Sequence, residues 1–341
     1  MKRFVNIALL VLTAAVFAGG MTSCDSLLYE GEGDCGVILR FKYDFNMKYA
    51  DAFPNEVHSV ALYVFDQEGK LVTKVVEEGI SATSEDYYMT VPVEEGIYDL
   101  VAWCGLAETQ SFTVPDVATK AELQCRLNTV KDAAGNPRMG TRLGDVFYGC
   151  VEDVNLQRLA PGSVNTVVIP LVKNTNSIKV LLQALENDET LTHQNYSFEI
   201  VDNNAVLGWD NNVVASPVCY DPWSKSQASV DVGTKADKLT AALAEFSVNR
   251  LIKRDTDKAM LVVKDLRYDK EVIRIALVDF FLMVKGHYGH DMTDQEYLDR
   301  QDDYTITFYI DNRKDDVSTW FIAMGIYING WHVVLQNSNL N

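Results

Sequence analysis

The sequence predicts an all-β protein of two tandem β-sandwich domains with very little helix. Three observations carry that prediction. The chain has 341 residues, whereas a single hydrophobic core stops growing at roughly 250. Hydrophobic residues make up 48% and charged residues 23%, a globular mix that excludes collagenous, low-complexity and wholly disordered classes. The apolar residues fall in short β-branched and aromatic runs, broken by turn formers, in two successive series.

Residues 1–23 read as an export signal: Lys2 and Arg3, an apolar run from Phe4 to Phe17, then Gly19, Gly20 and other small residues. The run is short for a spanning helix, which needs about 20 apolar residues. It ends on Met21-Thr22-Ser23-Cys24, which resembles the bacterial lipobox, with Met21 where leucine is usual. That resemblance implies acylation of Cys24, which then becomes the mature N-terminus. An ordinary cleaved signal followed by a chance cysteine is the bland alternative. Each buried methylene contributes about 0.8 kcal/mol, so two or three acyl chains would tether the chain permanently.

Residues 24–36, CDSLLYEGEGDCG, are acidic, Gly-containing and aperiodic, as expected of a flexible tether. The first sandwich is assigned to 37–173. Its predicted strands are Val37 to Tyr43, Val60 to Phe65, Leu71 to Val76, Tyr87 to Val93, Gly96 to Trp103, Val146 to Val154 and Ser163 to Val172. Asp66-Gln67-Glu68-Gly69 between two of these runs predicts an antiparallel hairpin. The polar run Lys173-Asn174-Thr175-Asn176 marks the boundary, and 174–341 form the second sandwich.

The second series comprises Ser177 to Gln183, Tyr196 to Val201, Ala205 to Trp209, Lys258 to Val263, Val272 to Val284, Tyr304 to Ile310, Thr319 to Ile328 and Trp331 to Leu335. Asp202-Asn203-Asn204 and Asp210-Asn211-Asn212 read as turn caps around one short run. Two helices are expected. Thr293 and Glu296 have capping-box spacing before Asp294 to Gln301, and Leu239, Leu243 and Phe246 recur at helical spacing in Asp237 to Phe246.

The chain carries 30 Lys and Arg against 48 Asp and Glu, a net charge of -18 that repels phosphate backbones and excludes nucleic acid as a partner. If Cys24 carries lipid, Cys35, Cys104, Cys125, Cys150 and Cys219 remain, an odd set with no C-x-x-C pair and pairings left open. Gly31-Glu32-Gly33-Asp34-Cys35-Gly36 satisfies G-x-G-x-x-G, but it precedes a strand instead of opening a helix, so no dinucleotide cofactor is expected. His287 and His290 beside Asp291 lack the helical spacing of a zinc motif and a visible third ligand, so no metal is expected. Neither a nucleophile elbow nor a P-loop occurs, and no enzyme or catalytic residue is assigned.

Three stretches together resemble the FimB-type fimbrial anchoring subunits of Bacteroidetes. They are CDSLLYEGEGDCGVILRFKYDFNMKYADAFPNEVHSVALYVFDQEGKLV, then LVKNTNSIKVLLQ with FEIVDNNAVLGWDNN, then MTDQEYLDRQDDYTITFYID with IYINGWHVV, in that order over nearly the whole mature chain. The resemblance implies two transthyretin-like Greek-key sandwiches and an outer-membrane lipoprotein at the base of a fimbrium, partnered by a stalk subunit. It also implies that, unlike stalk subunits cleaved after an arginine, the anchor keeps its first strand. Arg40 lies inside that predicted strand, which fits retention.

Joining by strand addition needs an extended segment whose alternate side chains fill pockets. Trp331, Val333 and Leu335 alternate on one face after Asn329-Gly330, a type I′ turn pair, and form the candidate donor strand. A strand that merely closes the chain's own second sandwich fits equally. The alternative function is a surface lipoprotein or accessory adhesin binding glycans through exposed Trp209, Trp223 and Trp331. A lipid-anchored hydrolase has only the surplus of carboxylates behind it.

Overall fold

The computed structural model describes residues 37–81, 87–157, 165–184, 191–231, 238–288, 291–310 and 323–333. The first half comprises β1 (Val37–Lys42), α1 (Phe53–Glu56), β2 (Ser59–Phe65), β3 (Leu71–Glu78), β4 (Met89–Thr90), β5 (Gly96–Cys104), β6 (Phe112–Thr113), β7 (Gln124–Leu127), β8 (Val130–Lys131), β9 (Pro137–Met139), β10 (Phe147–Leu156), β11 (Asn165–Pro170) and β12 (Val172–Lys173). The second comprises β13 (Asn176–Ala184), β14 (Tyr196–Asp202), β15 (Val206–Gly208), β16 (Val213–Val214), β17 (Val218–Tyr220), β18 (Ser224–Asp231), β19 (Lys238–Val248), β20 (Met260–Asp265) and β21 (Lys270–Ala276). Helices α2 (Leu277–Leu282), α3 (Lys285–Tyr288) and α4 (Asp294–Arg300) follow, then β22 (Asp303–Ile310), β23 (Ala323–Ile328) and β24 (Trp331–Val333). The all-β expectation holds. Among the described residues no helix is long and apolar enough to cross a membrane.

In the first half a three-stranded sheet, β11-β1-β4, packs on a five-stranded sheet, β12-β10-β5-β2-β3. Val37, Leu39, Phe41 and Tyr43 of the first layer share a core with Val60, Leu62, Val64, Leu100, Ala102 and Phe147 of the second. All seven residues of β2 are buried, because the five-stranded sheet is covered on both faces: Ala61, Tyr63, Phe65 and Trp103 point into a second core. An unbroken apolar run is the signature of such a strand. The predicted hairpin forms, with Asp66 Oδ1 accepting from the backbone N–H groups of Glu68 and Lys70 and Gly69 at φ 75°.

The second half stacks two six-stranded sheets, β18-β19-β13-β22-β23-β24 and β21-β20-β14-β17-β9-β8. Strands β8 and β9 come from the first half, and a four-stranded sheet, β16-β15-β7-β6, likewise mixes the two. The 105–146 segment therefore pairs with the second half, and its apolar residues Phe112, Leu123 and Met139 join that core.

Two expected elements change. Lys238–Val248 is a strand, not a helix: Ala242, Ala244, Phe246 and Val248 are buried at period two, and full pairing on both sides overrides the chance helical spacing of Leu239, Leu243 and Phe246. The expected strand to Val284 stops at Ala276, where Leu277, Val278, Phe280 and Phe281 turn into α2 and bury one helical face. Helix α4 forms as expected, Thr293 accepting from the Glu296 N–H at 3.1 Å.

The run at the joint between the halves is buried. Asn174 and Asn211 exchange side-chain hydrogen bonds at 2.7 and 3.0 Å. Lys173 lies 3.2 Å from Asp145 and Asp302 and 3.3 Å from Glu56, so one ammonium ties three separate segments together.

Candidate strand-exchange site

Strand β24 follows β23 through Asn329 and Gly330, both at positive φ (48° and 84°), as the sequence predicts for a type I′ turn. It pairs with β23 over three residues, Trp331↔Ile328 to Val333↔Ile326. Among the described residues nothing pairs with its other side, so it is a sheet edge. The register also fixes its direction. Strand β13 leaves the joint, β22 runs parallel to it from Ser177↔Asp303, and the Asn329 N–H bonds the Thr305 carbonyl at 2.8 Å. The turn is therefore at the joint end, and β24 runs away from the joint. Leu335 and the rest of 334–341 lie outside the described residues.

Strand β1 pairs parallel with β11 over six residues, Val37↔Asn165 to Lys42↔Pro170, and with β4 through Ile38 and Leu39. Its Val37 end is far from the joint, because Lys42, Leu171 and Asn174 follow one another toward it. The tether, and with it Cys24, lies outside the described residues. Arg40 is inside β1, half-buried beside Asp51, Phe53 and Tyr87.

The remaining sequence candidates are scattered. The Trp209 ring is half-buried, with the Lys120 ammonium 3.9 Å from its centroid, while Trp223 is 38% exposed. A cleft of about 230 Å³ between β2–β3 and the 106–114 segment is lined by Ala61, Tyr63, Val76, Phe112 and Val114, without Trp209 or Trp223. Cys104, Cys125, Cys150 and Cys219 are free thiols. Burial pushes Cys104 and Cys125 up, burial followed by the Glu199 carboxylate pushes Cys219 up to about 12, and burial raises Cys150, which favours the thiol form of all four at neutral pH. Among the described residues no group of His, Cys, Asp or Glu could hold a metal ion; His290 falls outside them.

The family model for fimbrillin-A associated anchor proteins Mfa1 and Mfa2 matches residues 31–337. The chain belongs to this family. It is thus a fimbrial anchor of the cell surface, in a family of structural proteins and not of enzymes. The minor fimbrium anchoring subunit Mfa2 of Porphyromonas gingivalis is 23% identical over 328 residues, 95% of this chain and 94% of that one. A candidate adhesin from Bacteroides thetaiotaomicron is 29% identical, with a TM-score of 0.75 over 89% of this chain and 99% of that one. From the same organism, a structure described among candidate polysaccharide binding proteins is also 29% identical, with a TM-score of 0.71 over 88% and 98%. The solved Mfa2 anchor of P. gingivalis shares the fold at 18% identity, with a TM-score of 0.63 over 87% and 97%.

The anchor holds one constellation that the sequence reading missed. The loop after β1 carries Phe45 and Tyr49, and Arg300, at the end of α4 in the other half, has its guanidinium carbon 4.0 Å and 4.6 Å from their ring centroids. Arg300 Nη1 is 3.4 Å from the carbonyl oxygens of Asp44 and Asn46, and its Nε donates to Glu296 at 2.9 Å. Two aromatics four apart in a polar loop were the available signal; the arginine, some 250 residues away, was not locatable from spacing.

Proposed function

We propose that this anchor is the base of a fimbrium, held in the outer membrane by acyl chains on Cys24, and that it engages the first stalk subunit by donating its C-terminal strand. The observation that carries the second part is β24 itself: an edge strand, joined by a two-residue turn and three residue pairs, running away from the end where the tether begins. The tether would then start at Val37, the end of β1 far from the joint, while β24 starts at the joint and runs away from it, the sense a membrane-to-filament link requires. The strand would add its main-chain hydrogen bonds to an exposed edge of the stalk subunit, alternate residues from Trp331 to Leu335 giving register.

Deleting Trp331 to Asn341 is expected to abolish capture of the first stalk subunit by the purified anchor. Undiminished capture would mean that β24 only closes its own sheet. Changing Cys24 to Ala is expected to release fimbriae into the medium, and fimbriae still held on cells would remove the tether from the account.

Glycan binding is the second reading, favoured by the relative described among candidate polysaccharide binding proteins and by exposed Trp223. A glycan array separates it from the first. Binding that disappears in Trp223→Ala, with stalk capture intact, would support it.

A further inference from the structure

The Arg300 constellation couples the two halves at the one place where the first strand leaves its sheet. Strand β1 enters the loop 43–52, which closes on itself: Asp51 Oδ1 accepts from the Tyr43 N–H at 2.9 Å and the Phe53 N–H at 3.1 Å. The Asn46 side chain donates to the Tyr43 and Ala50 carbonyls at 3.0 and 2.8 Å, and the Ala52 N–H to the Tyr43 carbonyl at 2.9 Å. A loop this closed moves as one piece with the end of β1.

Its two ends, Tyr43 and Phe53, are buried in the first-half core, and the exposed part between them is held by the second half. Arg300 lies against both aromatic rings of the loop and faces two of its carbonyls, and the Tyr49 hydroxyl reaches Met292 Sδ at 4.0 Å. Tyr49 is held at φ 52°, a left-handed conformation that a bulky residue adopts only when its surroundings impose it. Yet Tyr49 is 60% exposed, so packing of its ring in a core does not impose it. The Arg300 side chain is only 13% exposed and is aimed by the Glu296 carboxylate one turn earlier.

On the β4 side, by contrast, β1 is held at only two residues, Ile38 and Leu39; Arg40, Phe41 and Lys42 have no strand partner there among the described residues. Beyond the burial of Phe41 and Tyr43, the C-terminal part of β1 therefore depends on β11 and on the loop that Arg300 holds.

We propose that Arg300 is a positioning residue for the first strand: by clamping loop 43–52 it holds the C-terminal end of β1 seated and Arg40 out of reach of cleavage, so that a helix in the second half reinforces the hold that β11 and the first-half core already have on the strand. This goes beyond the anchor reading, and its test needs no fimbrial partner.

Hydrogen exchange and digestion with an arginine-specific protease are followed on the full-length chain and on Arg300→Ala, Phe45→Ser and Arg300→Lys. Loss of two ring contacts is expected to speed β1 amide exchange and cleavage after Arg40 by about 10- to 100-fold in Arg300→Ala. Amides of Ile178–Leu182 in β13 should keep their protection. Phe45→Ser should reproduce the effect from the other side, and it decides the matter if Arg300→Ala does not fold. Arg300→Lys should be intermediate, because an ammonium keeps the charge without the planar stack. Unchanged β1 exchange in the variants that fold, or β13 losing protection in step with β1, would overturn the proposal.

Discussion

Strand β1 lies between two neighbours and places Val37, Leu39 and Phe41 in a closed core, whereas among the described residues β24 has β23 on one side and an open edge on the other. The β1 partner, β11, lies more than a hundred residues away in the chain; the β24 partner is the preceding arm of its own hairpin. Removing β1 would break six parallel pairs and two antiparallel ones and expose side chains worth about 1.5–3 kcal/mol each. Among the described residues, opening β24 breaks three pairs and one turn. A strand is held harder by non-local pairing with its side chains in a core than by one local partner at an edge.

The sharpest way to break that comparison is to disrupt each strand in turn. Leu39→Asp puts a carboxylate at a site with no solvent contact and is expected to cost about 4 kcal/mol or more, read as loss of cooperative denaturant unfolding. Truncation before Trp331 should leave the main unfolding transition nearly in place. Equal damage from both would erase the distinction. At the joint, Asn174→Ala leaves the buried Asn211 amide without its partner and should cost about 1–3 kcal/mol by the same measurement. If Asn174→Ala is neutral, the joint is not what holds β1 and β13 in a fixed relation.

Smaller effects sharpen the other side. Gly330→Ala forces a side chain into φ 84°, which should cost about 1 kcal/mol and loosen β24 without touching β1. Hydrogen exchange resolves the two strands. Accelerated exchange in β1 as well would mean that the hairpin and the first half unfold as one unit.

Much of this architecture could be read from local signals. The Asp66–Gly69 and Asn329–Gly330 turns and the Thr293 cap are decided within a few residues, and each forms where the sequence puts it. What could not be read was decided by distant neighbours. The strand Lys238–Val248 is set by β13 and β18 on its two sides, against its own helical spacing. Strands of two to four residues, such as β6 to β9, have no pattern of their own and exist because β15 and β17 offer edges. Of the candidate site, the β24 turn and the position of Arg40 inside β1 were legible, whereas the Arg300 contact joins residues that only the tertiary fold brings together.

The smallest expected effect concerns the ammonium that ties the joint beside the end of β1. Burial of Lys173 pulls its proton affinity down, but Asp145, Asp302 and Glu56 together outweigh burial, and its pKa rises above the ordinary lysine value of 10.5. A base whose folded pKa is raised contributes stability that is fully present below its unfolded value and lost as pH rises through the folded one. Lys173→Met should therefore be less stable than the parent at pH 8, by about 1 kcal/mol because the three carboxylates remain partly solvated. The gap in thermal midpoint should close as pH climbs beyond about 10, since only the parent has this proton to lose. The other lysines are common to both chains and cancel. A gap that stays constant up to strongly alkaline pH would mean that Lys173 acts through the packing of its stem over Phe147, whose ring centroid lies 5.8 Å from its Nζ, and not through its charge.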